Sequence, residues 1–97
     1  MVEVEDLRLV AMLRIRQGVF TRHLGDPEQA RARLEDGLAL YQAVGDARYT
    51  AVVFNNLGIV ARLVRDYKEA QLLSQESLER FRQVSDHWGE ALTLGNL

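Results

Sequence analysis

The fold of this chain is decided by residues 54–70, which read FNNLGIVARLVRDYKEA. Asp66 divides an apolar stretch from a more polar one. An Asp directly before a helix accepts a hydrogen bond from a free backbone N–H, and its charge suits the positive end of the helix dipole. Aspartates recur at a twenty-residue interval along the chain, at Asp6, Asp26, Asp46, Asp66 and Asp86. We therefore predict a row of helices of similar length, each beginning after one of these aspartates.

The chain also repeats itself at an interval of forty residues, the length of two such helices with their turns. Gly18 aligns with Gly58, and Ala30 aligns with Ala70. Self-similarity at a fixed interval is typical of repeat architectures. The repeating unit is therefore a helix pair, in which we name the first helix A and the second helix B.

These repeats predict one all-α domain over residues 1–97 with five helices, the last of them truncated at Leu97. The first A helix is expected from about residue 7 to residue 24. The second A helix is apolar around its circumference, which is typical of a helix that lies between others. The predicted units are repeat 1 (about residues 7–45), repeat 2 (about 46–85) and a partial repeat 3 (about 86–97). We expect the chain to be a piece of a longer array.

The composition excludes several classes of function. The chain has no cysteine, so it has no disulfide framework and no thiol chemistry. Because no apolar run is long enough to span a bilayer and no signal peptide opens the chain, we expect a soluble, cytoplasmic protein without membrane contact. No nucleophile–base set, phosphate loop or metal cluster is evident, so we predict no enzyme activity, cofactor or metal. His87 and Glu90 have the spacing of some metal sites, but a solvated helix end explains them better.

The segment around residues 54–70 resembles a tetratricopeptide repeat. In that family an aromatic residue and a Leu-Gly pair mark helix A, and a small residue lets helix B approach closely. Those positions are held here by Phe54, Leu57, Gly58, Tyr67 and Ala70. The resemblance covers nearly the whole chain and implies a right-handed superhelix of antiparallel helix pairs, with the A helices on its concave face. Repeat 1 departs from the pattern, because Arg14 and Gln17 replace the aromatic residue and the leucine.

The repeat length resembles one variety of that family more than others. Forty residues exceed the commonest period of about thirty-four. The longer period is similar to that of bacterial regulators of the maltose-activator type and of related signalling ATPases. The turns Val44-Gly45-Asp46 and Val84-Ser85-Asp86 resemble that variety too. The resemblance implies a non-catalytic, protein-binding sensor or scaffold segment of a larger bacterial regulatory protein.

Charges separate between the two kinds of helix. Residues 7–24 and 47–64, in the A helices, include no acidic residue. By the geometry of the repeat we expect a concave surface with an apolar floor and a basic rim. Its predicted partner-binding residues are Arg16, Val19, Arg22, His23, Asn55, Asn56, Ile59, Arg62, Leu63 and Asn96. Arginine offers a planar fork of donors to carboxylates, and Asn56 and Asn96, one repeat apart, can each clamp a peptide backbone. Trp88 is expected to pack against the second B helix.

These residues allow two interpretations. In the first, the surface captures a protein or peptide, favouring an acidic one. In the second, the arginines neutralise carboxylates of the B helices, Asn56 hydrogen-bonds within the stack, and the chain is a structural solenoid segment that self-associates through its open ends. A basic helix pair also resembles a DNA-binding helix-turn-helix, but the net charge of −2 argues against nucleic acid.

Overall fold

Five α-helices make up the part of the chain that the computed structural model describes, residues 3–96. In chain order they are α1 (Val4–His23), α2 (Pro27–Ala43), α3 (Ala47–Leu63), α4 (Tyr67–Gln83) and α5 (His87–Gly95). Residues 3–96 contain no β-strand, so the predicted all-α class is confirmed. α1, α3 and α5 are the predicted A helices, and α2 and α4 are the predicted B helices. Leu97, where the truncation was predicted, lies outside the described residues.

Each turn between helices is built around an aspartate. After α1, the backbone N–H of Gly25 donates to the carbonyl of Arg22 at 3.0 Å. The N–H of Asp26 donates to the carbonyl of Thr21 at 3.0 Å, which completes a Schellman motif. The carboxylate of Asp26 then accepts the N–H of Gln29 at 3.1 Å and caps α2. The same cap begins the later helices, as predicted, at Asp46, Asp66 and Asp86. Each of these aspartates thus takes part both in the C-terminal turn of one helix and in the N-terminal cap of the next.

Asp6 caps no helix, and the prediction that α1 begins after it is wrong. α1 begins at Val4, so Asp6 lies in its first turn, and the N-cap residue Glu3 makes no side-chain hydrogen bond. The four capping aspartates follow a residue in the left-handed conformation, whereas Glu5 before Asp6 is helical. A carboxylate inside the first turn still faces the positive end of the helix dipole, so the helix tolerates it there.

The residue before each capping aspartate is left-handed whether or not it is glycine. Gly25 (φ 84°) and Gly45 (φ 72°) adopt this conformation without a steric cost. Arg65 (φ 64°) and Ser85 (φ 55°) adopt it with a side chain, which costs about 1–2 kcal/mol per residue. The turn is therefore maintained by its hydrogen bonds even where the residue type opposes it.

In α1 and in α3, a glycine of the A helix lies against the B helix of the same repeat. A Cβ at Gly18 would lie 2.8 Å from Cγ of Leu34. A Cβ at the equivalent Gly58 would lie 2.8 Å from Oγ of Ser74 and 3.4 Å from the carbonyl oxygen of Ala70. The predicted crossing point at Gly58 and Ala70 is thus confirmed.

The helices form an open array rather than a closed bundle. Each helix packs on the next one in the chain, and α3 also touches α1 and α5. Within residues 3–96, α1 does not contact α5, and the backbones of α2 and α4 do not approach each other. The resulting body is flat, with extents of 41 × 31 × 18 Å. A core shared by α1, α2 and α3 consists of Ala11, Ala30, Leu34, Tyr41, Val53, Leu57 and Val60.

Two equivalent ion pairs join successive A helices. Arg8 in α1 contacts the carboxylate of Asp46, which caps α3. One repeat later, Nε of Arg48 in α3 lies 3.2 Å from Oδ2 of Asp86, which caps α5. Because the same pair recurs after forty residues, it holds the A helices in a common register.

Candidate partner-binding surface

Equivalent positions of α1 and α3 build the predicted surface. The six residues below are spaced by three and four positions, so those of one helix share one face. We call them the A-helix surface, formed by Arg16, Val19 and His23 of α1 and by Asn56, Ile59 and Leu63 of α3. Val19 and Ile59, which are equivalent, are half-buried, whereas Leu63 is 56% exposed. The surface therefore combines an apolar middle with exposed ends.

The salt bridges decide which arginines remain available to a partner. Arg8 and Arg48 are held by the capping aspartates, and Nη1 of Arg14 donates to Oε1 of Gln17 at 3.1 Å. Three other arginines of the A helices form no salt bridge within residues 3–96, namely Arg16, Arg22 and Arg62. The A-helix arginines that do pair across helices, Arg8 and Arg48, contact caps of A helices. Neutralisation of B-helix carboxylates therefore does not account for the remaining three.

Arg22 and Arg62 are equivalent and lie at the edge of the A-helix surface. Each occupies the last turn of its helix, where the carboxyl end favours a cation. Arg22 is half-buried, and its Nη2 lies 3.4 Å from Nε2 of His23. Arg62 is exposed and directly precedes Leu63. Both guanidinium groups thus adjoin the exposed end of the surface.

Asn55 and Asn96 are placed differently from the sequence prediction. Asn55 is only 3% exposed, and its Oδ1 accepts a hydrogen bond from Nδ2 of Asn96 at 3.0 Å. Successive residues of a helix point about 100° apart, so Asn55 faces α5 while its neighbour Asn56 stays on the A-helix surface. The Asn55–Asn96 bond joins α3 to α5. The structure therefore does not present Asn56 and Asn96 as two equivalent clamps for a peptide backbone.

Family membership follows from a match over nearly the whole chain. The model of the family described as tetratricopeptide repeat matches residues 9–97. This chain belongs to the tetratricopeptide repeat family. Membership agrees with the packing of adjacent helix pairs and indicates a protein-interaction module. Comparison with curated proteins finds none that matches the sequence. No helix within residues 3–96 has both the length and the hydropathy needed to cross a bilayer.

The tetratricopeptide array continues its exposed apolar surface onto α5, which the sequence interpretation missed. Trp88 does not pack against α4 as predicted, since it is 87% exposed. The neighbouring Gly89 makes that contact instead, because a Cβ there would lie 2.2 Å from the ring of Phe81. Trp88 lines a cavity of about 310 Å³ with Val52 and Leu92. A signal was present in the sequence, since Leu92 follows Val52 by one repeat.

A second cavity, also not predicted, lies between the two B helices of the array. Its volume is about 410 Å³. We call it the α2–α4 groove. Its floor comes from α3 and includes Phe54, Leu57, Ala61 and Val64. Its rim carries Glu28, Arg31 and Glu35 of α2 and Glu69 of α4.

Three titratable side chains, Arg82, His87 and Glu90, contact one another at the start of α5. Nδ1 of the exposed His87 lies 2.9 Å from Oε2 of Glu90, whose Oε1 accepts a hydrogen bond from Nε of Arg82 at 3.0 Å. These two bonds, that of His87 foremost, hold the pKa of Glu90 below its ordinary value. Residues 3–96 hold no group of three or more side chains placed to bind a metal ion. His87 is exposed as expected for a solvated helix end, whereas the Glu90 side chain is only 20% exposed and is held by His87 and Arg82.

Proposed function

We propose that this chain is a non-catalytic module that binds an acidic protein or peptide segment on its A-helix surface. The observation that supports the proposal is a set of arginines without a salt bridge in the described part of the chain, beside half-buried apolar side chains. These arginines are Arg16, Arg22 and Arg62.

Each part of the surface offers a different contact. The guanidinium groups present paired donors to carboxylates, Val19 and Ile59 offer apolar area, and the amide of Asn56 can exchange hydrogen bonds with a peptide backbone. Trp88 adds an exposed aromatic ring at the α5 end. Because Arg16 and Arg62 are exposed, we expect affinity to fall as salt is raised.

A pair of peptides tests the proposal. The acidic peptide is acetyl-Glu-Leu-Phe-Leu-Glu-amide, and the basic peptide replaces both glutamates by lysine. In isothermal titration, Arg62→Gln should weaken the acidic peptide about tenfold, or about 1.4 kcal/mol. Lys68→Gln removes the same charge from an exposed site on α4 and should change affinity less than about twofold. Equal effects of the two variants, or no binding of the acidic peptide at low salt, would refute the assignment.

Self-association as a structural solenoid segment is a second candidate, and it is supported by a different face. α1 exposes a row of apolar residues, Leu9, Leu13, Phe20 and Leu24. The equivalents of Leu13 and Phe20 are Val53 and Val60, which lie in the core with residues of α2. The equivalents of Leu9 and Leu24 are Tyr49 and Val64, which are each 49% exposed. The exposed face of α1 thus has the apolar composition of a face that packs against another helix. Sedimentation should show an apparent mass that rises with protein concentration, and Leu13→Glu should abolish this rise. A monomer at every concentration would contradict this candidate.

The wider context is proposed from the repeat length and the turns. Both are similar to those of maltose-activator-type regulators, so we infer a sensor or scaffold segment of a larger bacterial regulatory protein in the cytoplasm. The surrounding reading frame tests this. Neighbouring repeats with an ATPase or DNA-binding domain would support the inference, and a frame that encodes neither would contradict it.

A further inference from the structure

The α2–α4 groove exists because two B helices pack on one A helix and reach each other through side chains rather than through their backbones. Both α2 and α4 contact α3, but their backbones stay apart, so α3 forms the floor between them. Leu57 and Ala61 are buried at its base, Phe54 is half-buried, and Val64 is 49% exposed at one end. The volume of about 410 Å³ lies within the range of about 300–1,000 Å³ for pockets that hold small ligands.

The rim of the groove is acidic. It carries the carboxylates of Glu28, Glu35 and Glu69 and the guanidinium of Arg31, so its formal charge is three negative charges less one, or −2. Nε of Arg31 donates to Oε1 of Glu35 at 2.9 Å, and its Nη2 donates to Oε1 of Glu69 at 2.9 Å. Arg31 is thus already shared between two carboxylates and has little attraction left for an anion.

One further charged pair lies near the floor and does not alter this balance. Arg80 of α4 places its guanidinium 4.9 Å from the centre of the Phe54 ring. Its Nε also donates to Oε1 of Glu76 at 2.8 Å, so this pair is neutral. Glu28 forms no salt bridge within residues 3–96, which leaves one carboxylate at the mouth without a cation.

We propose that the α2–α4 groove is a second binding site, distinct from the A-helix surface, which takes a short basic peptide with apolar side chains. The apolar side chains enter over Phe54 and Val64, and a lysine or arginine at either end meets Glu28 and the free oxygen of Glu69. Charge complementarity selects this occupant: an acidic segment meets a rim of like charge, and an uncharged one leaves Glu28 without a counterion.

Two adjacent residues provide a matched pair of variants. Val64 and Leu63 are both about half exposed at the end of α3, but Val64 lines the groove and Leu63 lies on the A-helix surface. A lysine at either position adds a cation near the carboxyl end of a helix, which is favourable. Val64→Lys and Leu63→Lys should therefore unfold at nearly the same urea concentration as the unchanged chain.

The experiment is an amide chemical-shift titration of the ¹⁵N-labelled chain with the basic and the acidic peptide. We expect the basic peptide to shift the amides of Ala61, Val64 and Leu73, and the acidic peptide to shift those of Ile59 and Leu63. Val64→Lys should weaken the basic peptide at least about fivefold, and Leu63→Lys should leave its affinity within about twofold.

Several results would overturn the second site. They are shifts by the basic peptide outside the groove, an equal effect of the two lysine variants, and equally tight binding of acetyl-Gly-Leu-Phe-Leu-Gly-amide. Groove shifts that grow with protein concentration alone would assign the groove to a second copy and would also overturn it. Because Val64→Lys should not weaken the acidic peptide, failure here is distinguishable from failure of the A-helix surface.

Discussion

The two equivalent glycines at the A–B crossings should respond differently to the same substitution. At Gly18, an added Cβ would lie 2.8 and 2.9 Å from Cγ and Cδ2 of Leu34 and 3.1 Å from the carbonyl oxygen of Ala30. Leu34 is 1% exposed, so its branched carbon has no space to move into. At Gly58, the nearest atom is Oγ of Ser74, which can rotate about one bond to another rotamer.

The magnitudes follow from two opposing effects. Glycine to alanine inside a helix stabilises by about 1 kcal/mol through helix propensity. Overpacking a close-packed contact costs about 1–3 kcal/mol. Gly18→Ala should therefore lower the free energy of unfolding by about 1 kcal/mol, whereas Gly58→Ala should leave it unchanged or raise it by up to about 1 kcal/mol.

Urea unfolding followed by circular dichroism measures both values, and a double-mutant cycle identifies the cause. Leu34→Ala alone should cost about 2–5 kcal/mol because it opens a cavity. In that background Gly18→Ala should become neutral or stabilising, so the two substitutions should couple by about 1–2 kcal/mol. Equal effects at Gly18 and Gly58, or additive effects of Gly18→Ala and Leu34→Ala, would refute the reasoning.

Three further predictions concern caps, turns and pH. Asp66→Ala should cost about 1 kcal/mol in urea unfolding, whereas Asp6→Ala, which removes no cap, should cost less than about half of that; equal losses would contradict the assigned roles. Arg65→Gly should stabilise by about 0.5–1 kcal/mol because it relieves a left-handed side chain, and Gly25→Ala should destabilise; a loss of stability in Arg65→Gly would oppose this account. Burial, followed by the charges of neighbouring groups, raises the pKa of Tyr41. The stability that this neutral phenol contributes below about pH 10 should therefore be lost as pH rises through its folded-state pKa. Tyr41→Phe should lessen that loss, which urea unfolding at alkaline pH would measure.

Local signals made the helix boundaries predictable. An aspartate cap acts within three residues of its own position, so the sequence contains all of its chemistry, as at Asp26 and Asp66. Asp6 shows the limit of spacing alone. It keeps the twenty-residue interval, but no left-handed residue precedes it, and α1 runs through it.

The site was less predictable because it depends on orientation within a helix. Asn55 and Asn56 are adjacent and chemically identical, yet one is buried against Asn96 and the other lies on the surface. Trp88 was misplaced for the same reason, since Gly89 contacts Phe81 and turns the tryptophan outward. The α2–α4 groove depends on the distance between two helices that are far apart in the sequence, and no local pattern within either helix specifies that distance.

Because A and B helices alternate along the chain, their different charges come to lie on different faces of the array. From residue 7 to 24 and from 47 to 64 the A helices lack acidic residues. Their ion pairs use Arg8 and Arg48 at the caps and leave Arg62 on the A side. The glutamates of α2 and α4, such as Glu69, gather on the other side of α3, where a gap between the B helices exposes them beside an apolar floor. A net charge of −2 therefore conceals two surfaces of opposite sign, and each surface has apolar side chains beside its charges.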